Sequence, residues 1–325
     1  MTGQSIIPSR EKQLEMLQTM LKIRHFEMAA GQLYKRGVLK GGVHACIGQE
    51  AIPVGISAHL HRDDYITSTH RGHGHHIAKG ADVRRLMAEL MGKETGYCKC
   101  RGGSMHVAAF DVGSLGAYPI VAAGVPIAIG AAYSIMHRGS DQVVVAYFGD
   151  GALGQGTIYE AFNLASIWRL PVIFTCENNY FAVSTKTEAT VALKDIPGFA
   201  ASFGIVGKRV NGQNVLDVYN AAGEAVDRAR KKEGATFLFF DTYRFEGHYF
   251  GEPEIYRSRE EVQKSKDELD PITLYIATLI NSGMISKQAI EAMEKDCQRE
   301  IDEALAFAQQ SPLPNPDEYA RYVYA

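Results

Sequence analysis

This chain of 325 residues lacks a disulfide framework, a long apolar run, an excess of either charge and an apolar leader. Its five cysteines (Cys46, Cys98, Cys100, Cys176 and Cys297) follow no framework spacing. That excludes a disulfide-stapled secreted domain and predicts reduced thiols in a cytoplasmic protein. No apolar stretch approaches the roughly 20 residues needed to cross a bilayer, so no membrane-spanning helix is expected. Lys and Arg number 34 against 37 Asp and Glu. The resulting net charge of −3 gives no general attraction to nucleic acid or to an anionic membrane. The opening MTGQSIIPSREKQ has neither the apolar core of a signal peptide nor an Arg-rich transit character. No internal repeat or low-complexity tract is present. The remaining composition, 46% hydrophobic and 22% charged, is that of an ordinary globular protein.

Residues 143–181 carry the most information: VVVAYF-GDGALG-QGTIYEAFNLASIWRL-PVIFTCE-NNYF. A β-branched run ends in Gly149-Asp150-Gly151. A segment of helical period follows, with Ile158, Phe162, Ala165 and Trp168 on one stripe. A second apolar run, residues 172–176, ends in Asn178-Asn179. This is strand, turn, helix and strand, a βαβ unit with parallel strands whose C-terminal ends share one edge. Ligands of open α/β sheets bind at that edge. The turn also fits G-x-G-x-x-G, with Glu177 about 20 residues further on, as a dinucleotide site requires. Asp150 argues against that alternative, because a carboxylate between the first two glycines would face a pyrophosphate with no counter-charge. A divalent cation between them reverses the sign. Mg²⁺ takes one or two protein oxygens together with phosphate oxygens, and Asp150 and Asn179 offer two on neighbouring strand ends.

Along the rest of the chain, residues 9–36 read as one long helix, with Leu14, Leu17, Leu21, Ile23, Phe26, Ala29 and Leu33 recurring at threes and fours. A glycine-containing loop holds His44, which on sequence alone reads as structural more often than functional, and residues 50–60 open a second helix. Residues 64–69 form a β-rich run ending in HRGHGHH. Four histidines in seven residues invite a zinc reading, but the spacing matches no common zinc signature and no cysteine or carboxylate is near in sequence. Arg71 amid glycines at a strand end is better suited to phosphate, with some of these histidines facing solvent at a helix start. Residues 82–90 read as helix, 96–106 and 111–124 as loops, and 125–136 as a small-residue helix. Further strands are expected at 203–210 and 237–241 with a helix at 221–231 between them. A polar-aromatic loop follows at 242–259, then helices at 272–282 and 287–309. Loops of this length in a compact domain usually carry function or bind a partner.

Gly149-Asp150-Gly151, 26 intervening residues (152–177), and then Asn178-Asn179 resemble the thiamine diphosphate–Mg²⁺ motif. HACIGQEA, THRGHGH, RGGSMH, IVAAGVP, GDGALGQG, ENNYF and TYRFEGHYFGEPEIYR occur in that order over about residues 15–265. The order is similar to the α subunit of the α₂β₂ E1 components, thiamine diphosphate-dependent dehydrogenases of 2-oxo acids and acetoin. The resemblance implies an α/β thiamine diphosphate-binding fold: a central, mostly parallel sheet with helices on both faces over residues 1–265, and a helical C-terminal extension over 266–325.

Carried over by position, the resemblance makes Asp150, Asn179 and the main-chain carbonyl of Phe181 the Mg²⁺ ligands. Gly151 and Ala152 would lie against the diphosphate, His70 and Arg71 would hold its oxygens, and Arg244 would assist. Ile120 and Val121 would touch the aminopyrimidine side, His44 would face the substrate, and His248 would orient cofactor and reacting groups. The partners implied are an E1 β subunit, which carries the glutamate that activates the cofactor, and a lipoyl-bearing E2 acyltransferase. Three positions depart from the family pattern. Tyr118-Pro119 replaces Asn-Gly, removing an amide hydrogen and fixing φ; Phe181 replaces Tyr; and Tyr249 stands where mitochondrial pyruvate enzymes carry a serine. The run Gly247-His248-Tyr249-Phe250-Gly251-Glu252 looks most like the acetoin-cleaving branch, with pyruvate next and branched 2-oxo acids third. A non-catalytic scaffold subunit and an NAD-dependent oxidoreductase are the readings from other classes. Small-residue segments 119–132 and 152–165 are further expected to pack against partner subunits.

Overall fold

The computed structural model describes residues 7–323; residues 1–6, where a leader was sought, and 324–325 lie outside the described residues. Helix α1 (Arg10–Lys35) starts where the Ser9 hydroxyl accepts the Lys12 amide, and it buries Met16, Leu17, Met20, Leu21 and Phe26. Helix α2 (Ala51–Ser57), strand β1 (Tyr65–Thr69), and helices α3 (His73–Ala78) and α4 (Val83–Leu90) follow, the last capped by Asp82. Then come β2 (Ser114–Tyr118), α5 (Gly124–Arg138), β3 (Val144–Gly149), α6 (Gly156–Ile167) and β4 (Val172–Asn178). A small hairpin, β5 (Phe181–Ala182) and β6 (Thr185–Lys186), and two short helices, α7 (Thr187–Thr190) and α8 (Ile196–Phe199), lead into β7 (Val206–Asn211), α9 (Val215–Arg230) and β8 (Thr236–Asp241). The chain closes with α10 (Arg259–Leu269), α11 (Pro271–Asn281) and α12 (Lys287–Gln310).

Six strands form one sheet in the order β2-β1-β3-β4-β8-β7, and every pairing is parallel. β3, β4 and β8 are apolar on both faces because helices cover both. On one face α5 and α6 pack Val125, Ile129, Ile158 and Phe162 against Val144, Phe174 and Phe237. On the other, α2 and α9 pack Ile52, Val218 and Ala222 against Val145, Ile173 and Leu238. α11 and α12 close over α1 and α4, sharing one core through Tyr275, Leu279, Ile301 and Ala304. The edge strand β7 carries exposed Lys208 and Arg209, charges that discourage edge-to-edge pairing.

The structure corrects the sequence reading in four places. Residues 114–118, read as loop, are the sheet's other edge strand; Gly116 at φ +139° and a register shift between Ile66 and Ser68 make it irregular, so it shows no alternation. Strand β7 starts at Val206 because Ala200–Phe203 is a 3₁₀ turn. The apolar stripe of α6 ends at Ala165; Trp168 is its C-cap and is 40% exposed. α10, which buries no residue, lies ahead of the expected tail. The small residues of segments 119–132 and 152–165 also have partners within the chain: Val125, Ala128 and Ala132 share a core with Ile158, Ala161 and Ala165.

Candidate active site

The chain leaves β1 for β2 on one side and resumes from β3 to β4 on the other, so strand order reverses between β1 and β3. At such a point the loops leaving adjacent strands diverge and open a crevice at their C-terminal ends. A cleft lies there, lined by Thr69–Arg71 at the end of β1, Gly149–Ala152 at the end of β3, Asn179 and Phe181–Val183 beyond β4, and Arg244 and His248 beyond β8. It brings together His70, Arg71, Ile120, Val121, Asp150, Gly151, Ala152, Asn179, Phe181, Arg244 and His248, residues spread over nearly 180 positions of sequence. His44 lies directly behind, its ring edge-on to His70 and His248 at 4.7 Å each. Ile120 and Val121 are 76% and 49% exposed and form the open lip.

Charge in the cleft is divided between two walls. On one side Arg71 and Arg244 are buried, and among the described residues neither has a carboxylate ion-pair partner. Arg71 donates to the carbonyls of Ala45 and His248; Arg244 donates to the Val183 carbonyl and to Tyr256 Oη at 2.7 Å, and its Nε has no partner. Burial and the neighbouring Arg244 bring Arg71 down to about 10, and burial also lowers Arg244. Buried cations without counter-ions are costly, so this wall calls for an anion. On the other side the Asp150 carboxylate is 1% exposed and raised by burial, against which the Thr187 hydroxyl bonds to it at 2.5 Å. Asn179 beside it is 8% exposed, and its Oδ1 accepts the Phe181 amide at 3.3 Å. A lone buried carboxylate, a carboxamide oxygen and main-chain oxygens suit a hard divalent cation. The two walls together fit a diphosphate bridged to such a cation.

Gly151 sits where a Cβ would come within 2.9 Å of Ala182 Cβ, so only glycine allows the turn to lie against the β5 hairpin. The turn differs from expectation in one respect. Asp150–Gly154 is a 3₁₀ turn and α6 begins only at Gly156. The glycine turn itself, rather than a helix N-terminus, therefore presents Gly151 and Ala152 to the cleft.

The expectation that some histidines of HRGHGHH face solvent is overturned, since His73, His75 and His76 are 0%, 2% and 0% exposed. His73 bonds to Glu27 at 2.9 Å and Ser104 at 3.0 Å. His75 bonds to Ser68 at 2.7 Å and Glu177 at 3.2 Å, and stacks on Tyr147. His76 bonds to Ser114 at 2.8 Å. Their partners diverge, so this run forms no zinc site, and Glu177 is engaged by His75 rather than free for a ribose. The ring nitrogens that do converge belong to His44, His70 and His248, within 4.8 Å of one another. Three imidazoles can ligate a metal, but the adjacent Arg71 and Arg244 guanidiniums oppose a cation there. Burial, then Arg71, holds His44 at about 3, His70 at about 2 and His248 at about 4, so all three are uncharged at neutral pH.

Sequence reading missed three supporting residues. Glu252 accepts the His248 amide and the Tyr256 hydroxyl, the latter at 3.0 Å, and so pins the His248 loop. Thr187 ties Asp150 to Asn178, at 2.5 and 3.2 Å. Gln49, 1% exposed, accepts from Asn179 Nδ2 at 3.3 Å. Glu252 and Gln49 stand inside quoted runs and were within reach of the sequence; Thr187 carries no local signal.

The family model described as "Dehydrogenase E1 component" matches residues 18–317. The chain is 42% identical to the α subunit of acetoin:2,6-dichlorophenolindophenol oxidoreductase of Bacillus subtilis (strain 168), over 97% of this chain and 94% of that one. It is 41% identical to the pyruvate dehydrogenase E1 component subunit alpha of Rhizobium meliloti (strain 1021), over 95% and 89%. Against the acetoin oxidoreductase α subunit of Cupriavidus necator the identity is 38%, over 97% and 95%.

Proposed function

Since the chain belongs to the dehydrogenase E1 component family, we propose that it is the α subunit of a thiamine diphosphate- and Mg²⁺-dependent dehydrogenase that cleaves acetoin. It would act with a β subunit in an α₂β₂ assembly and pass the acyl group to a lipoyl-bearing acyltransferase. The division of charge in the cleft carries this reading. Among the described residues, two buried guanidiniums have no carboxylate ion pair and share the cleft with the buried carboxylate of Asp150, which has no Lys or Arg ion pair. Asp150, Asn179 and the Phe181 carbonyl would hold Mg²⁺, and Arg71, Arg244 and the Gly151–Ala152 turn would hold the diphosphate. Thiamine diphosphate, when bound, supplies the electron sink on which a bond beside a carbonyl is broken. The residues of this chain exclude water, orient the substrate, and hold or move its hydroxyl proton at His44 and His248.

The preference for acetoin over pyruvate has two supports. One is the run Gly247–Glu252, where the Glu252 carboxylate fixes the His248 loop. The other is the wall of three uncharged imidazoles. Neutral rings exchange hydrogen bonds with the hydroxyl and ketone of a neutral substrate but offer no charge to a 2-oxo acid. Pyruvate is the second reading, favoured by the 41% identity to a pyruvate dehydrogenase α subunit. Pockets for these substrates differ by a few groups worth about 1–3 kcal/mol each.

The test is steady-state turnover of the chain co-expressed with its β subunit, supplied with thiamine diphosphate, Mg²⁺ and an artificial electron acceptor. Acetoin, pyruvate and 3-methyl-2-oxobutanoate are compared in parallel. Acetoin turns over fastest, and Asp150→Ala lowers turnover by at least about a thousandfold by removing the charged ligand. Preference for pyruvate would transfer the assignment to the second reading. Absence of metal-dependent cofactor binding would refute both.

A further inference from the structure

Gln49 lies in the loop before α2, held by a turn that tolerates no other course. Gly48 sits at φ +95°, and a Cβ there would come within 2.5 Å of the Tyr243 carbonyl. The Gln49 amide donates to the Cys46 carbonyl at 2.9 Å, and the Gly48 amide donates to Glu50 at 3.0 Å. Glu50, wholly buried, pairs in turn with Arg24 at 2.5 Å, and Arg24 pairs with Asp270 at 3.0 Å. The Gln49 side chain is thus delivered to the cleft by a fixed backbone. Gln49 lines the cleft; its Oε1 takes a hydrogen from Asn179 Nδ2, while its Nε2 is buried and has no partner among the described residues.

These two halves of one carboxamide point to two tasks. An asparagine can offer a metal either oxygen or nitrogen, and Mg²⁺ accepts only oxygen. With Nδ2 engaged by Gln49 and the Phe181 amide donating to Oδ1, only one orientation of Asn179 satisfies both neighbours. The unpartnered Nε2 is a different matter. A buried N–H₂ group without an acceptor is costly and uncommon, and where it borders a cleft a bound group supplies the acceptor. We infer that Gln49 is a positioning residue that locks the oxygen of Asn179 toward the metal and donates its own amide hydrogens to the bound cofactor. This rests on the reading given under Proposed function.

The test uses the complex with its β subunit and Mn²⁺ as a paramagnetic substitute for Mg²⁺. Free Mn²⁺ and the hyperfine spectrum of the bound ion are recorded with thiamine diphosphate present, and thermal unfolding is recorded without it. Gln49→Met keeps the shape but loses both hydrogen-bonding halves. It is expected to weaken Mn²⁺ binding by about tenfold, the equivalent of one buried hydrogen bond, and to broaden the spectrum, while the apo midpoint stays unchanged or rises. Gln49→Glu keeps the acceptor and loses the donors. It retains the wild-type spectrum but binds thiamine diphosphate at least about tenfold more weakly, and it decides the matter should Gln49→Met not fold. A lowered apo midpoint with wild-type affinity for both ligands would overturn the inference and leave Gln49 a packing residue. Wild-type complex that binds no cofactor in a metal-dependent way would instead overturn the underlying reading.

Discussion

Six histidines, in two groups of three, occupy neighbouring ground in this protein and do opposite work. His73, His75 and His76, on α3, send their rings toward Glu27 and Ser104, toward Ser68 and Glu177, and toward Ser114. They join α1, β1, β2 and β4 to one short helix. His44 packs edge to face on His70 and His248 at 4.7 Å, those two lie tilted at 5.2 Å, and the three spend almost none of their hydrogen-bonding capacity inside the protein. His44 Nδ1 has no partner, and His248 Nδ1 has only Arg244 at 3.5 Å. Burial separates the groups only in part: His44 is buried like His73, His75 and His76, whereas His70 and His248 are partly exposed. Satisfaction also separates them only in part, since His76 Nε2 has no partner among the described residues. Convergence does: His73 and His75, with both nitrogens taken by protein, serve the fold, and the rings whose open nitrogens gather at the cleft serve a ligand.

The largest effect expected from this division is on turnover. His248→Ala, and separately His44→Ala, lower kcat by about 10²–10⁴-fold, the range for a positioned proton-transfer group, and leave the unfolding midpoint of the complex unchanged. Steady-state kinetics beside calorimetry checks both, and a lowered midpoint with retained turnover would erase the distinction. His73→Ala reverses the pattern. Glu27 is wholly buried, held low by His73 against the burial that would raise it, and also accepts from the Cys46 amide and thiol. Removing the ring strips that carboxylate of one partner and costs about 3 kcal/mol in urea unfolding, while activity per folded molecule is retained.

The smallest effect of a single ring is on pH dependence. Burial holds His76 at about 3 in the folded protein, against about 6.5 for an unfolded histidine. Below pH 6.5 the unfolded chain therefore binds a proton that the folded chain refuses. Stability is complete above that pH and falls as pH drops toward the folded value, by about 1.4 kcal/mol per unit for each such ring. His44, His70 and His248 share this sign. Urea unfolding of the apo complex between pH 7 and 5 measures the combined slope. His76→Gln should remove one ring's share; an unchanged slope would mean that His76 titrates normally.

Much of the cleft was legible because Gly149-Asp150-Gly151, Asn178-Asn179 and His70-Arg71 stand at strand ends, where runs of Val, Ile and Phe stop abruptly. The same signal located β3, β4 and β8. It failed at β2, where Gly116 within the strand and Pro119 just after it make an irregular edge strand that reads as loop. It also failed to sort the histidines, because their roles depend on Glu27, Ser104 and Glu177, from 31 to 102 positions away. Gln49 stands in the quoted run HACIGQEA, but its pairing was unreadable for a related reason: nothing beside it in the chain announces Asn179, 130 positions later.

The Arg24 clamp has a consequence in time as well as in space. Arg24 and Glu50 are made early, but Asp270, which completes the clamp, follows every proposed ligand of the site in the chain. So does Leu269, whose carbonyl accepts from Gln213, which reaches Asn178 through Thr242. During synthesis the sheet can assemble while the loop bearing Gln49 is still held from one side only. The loop that carries Gln49 is therefore clamped from both sides only once residues 269–270 have been made.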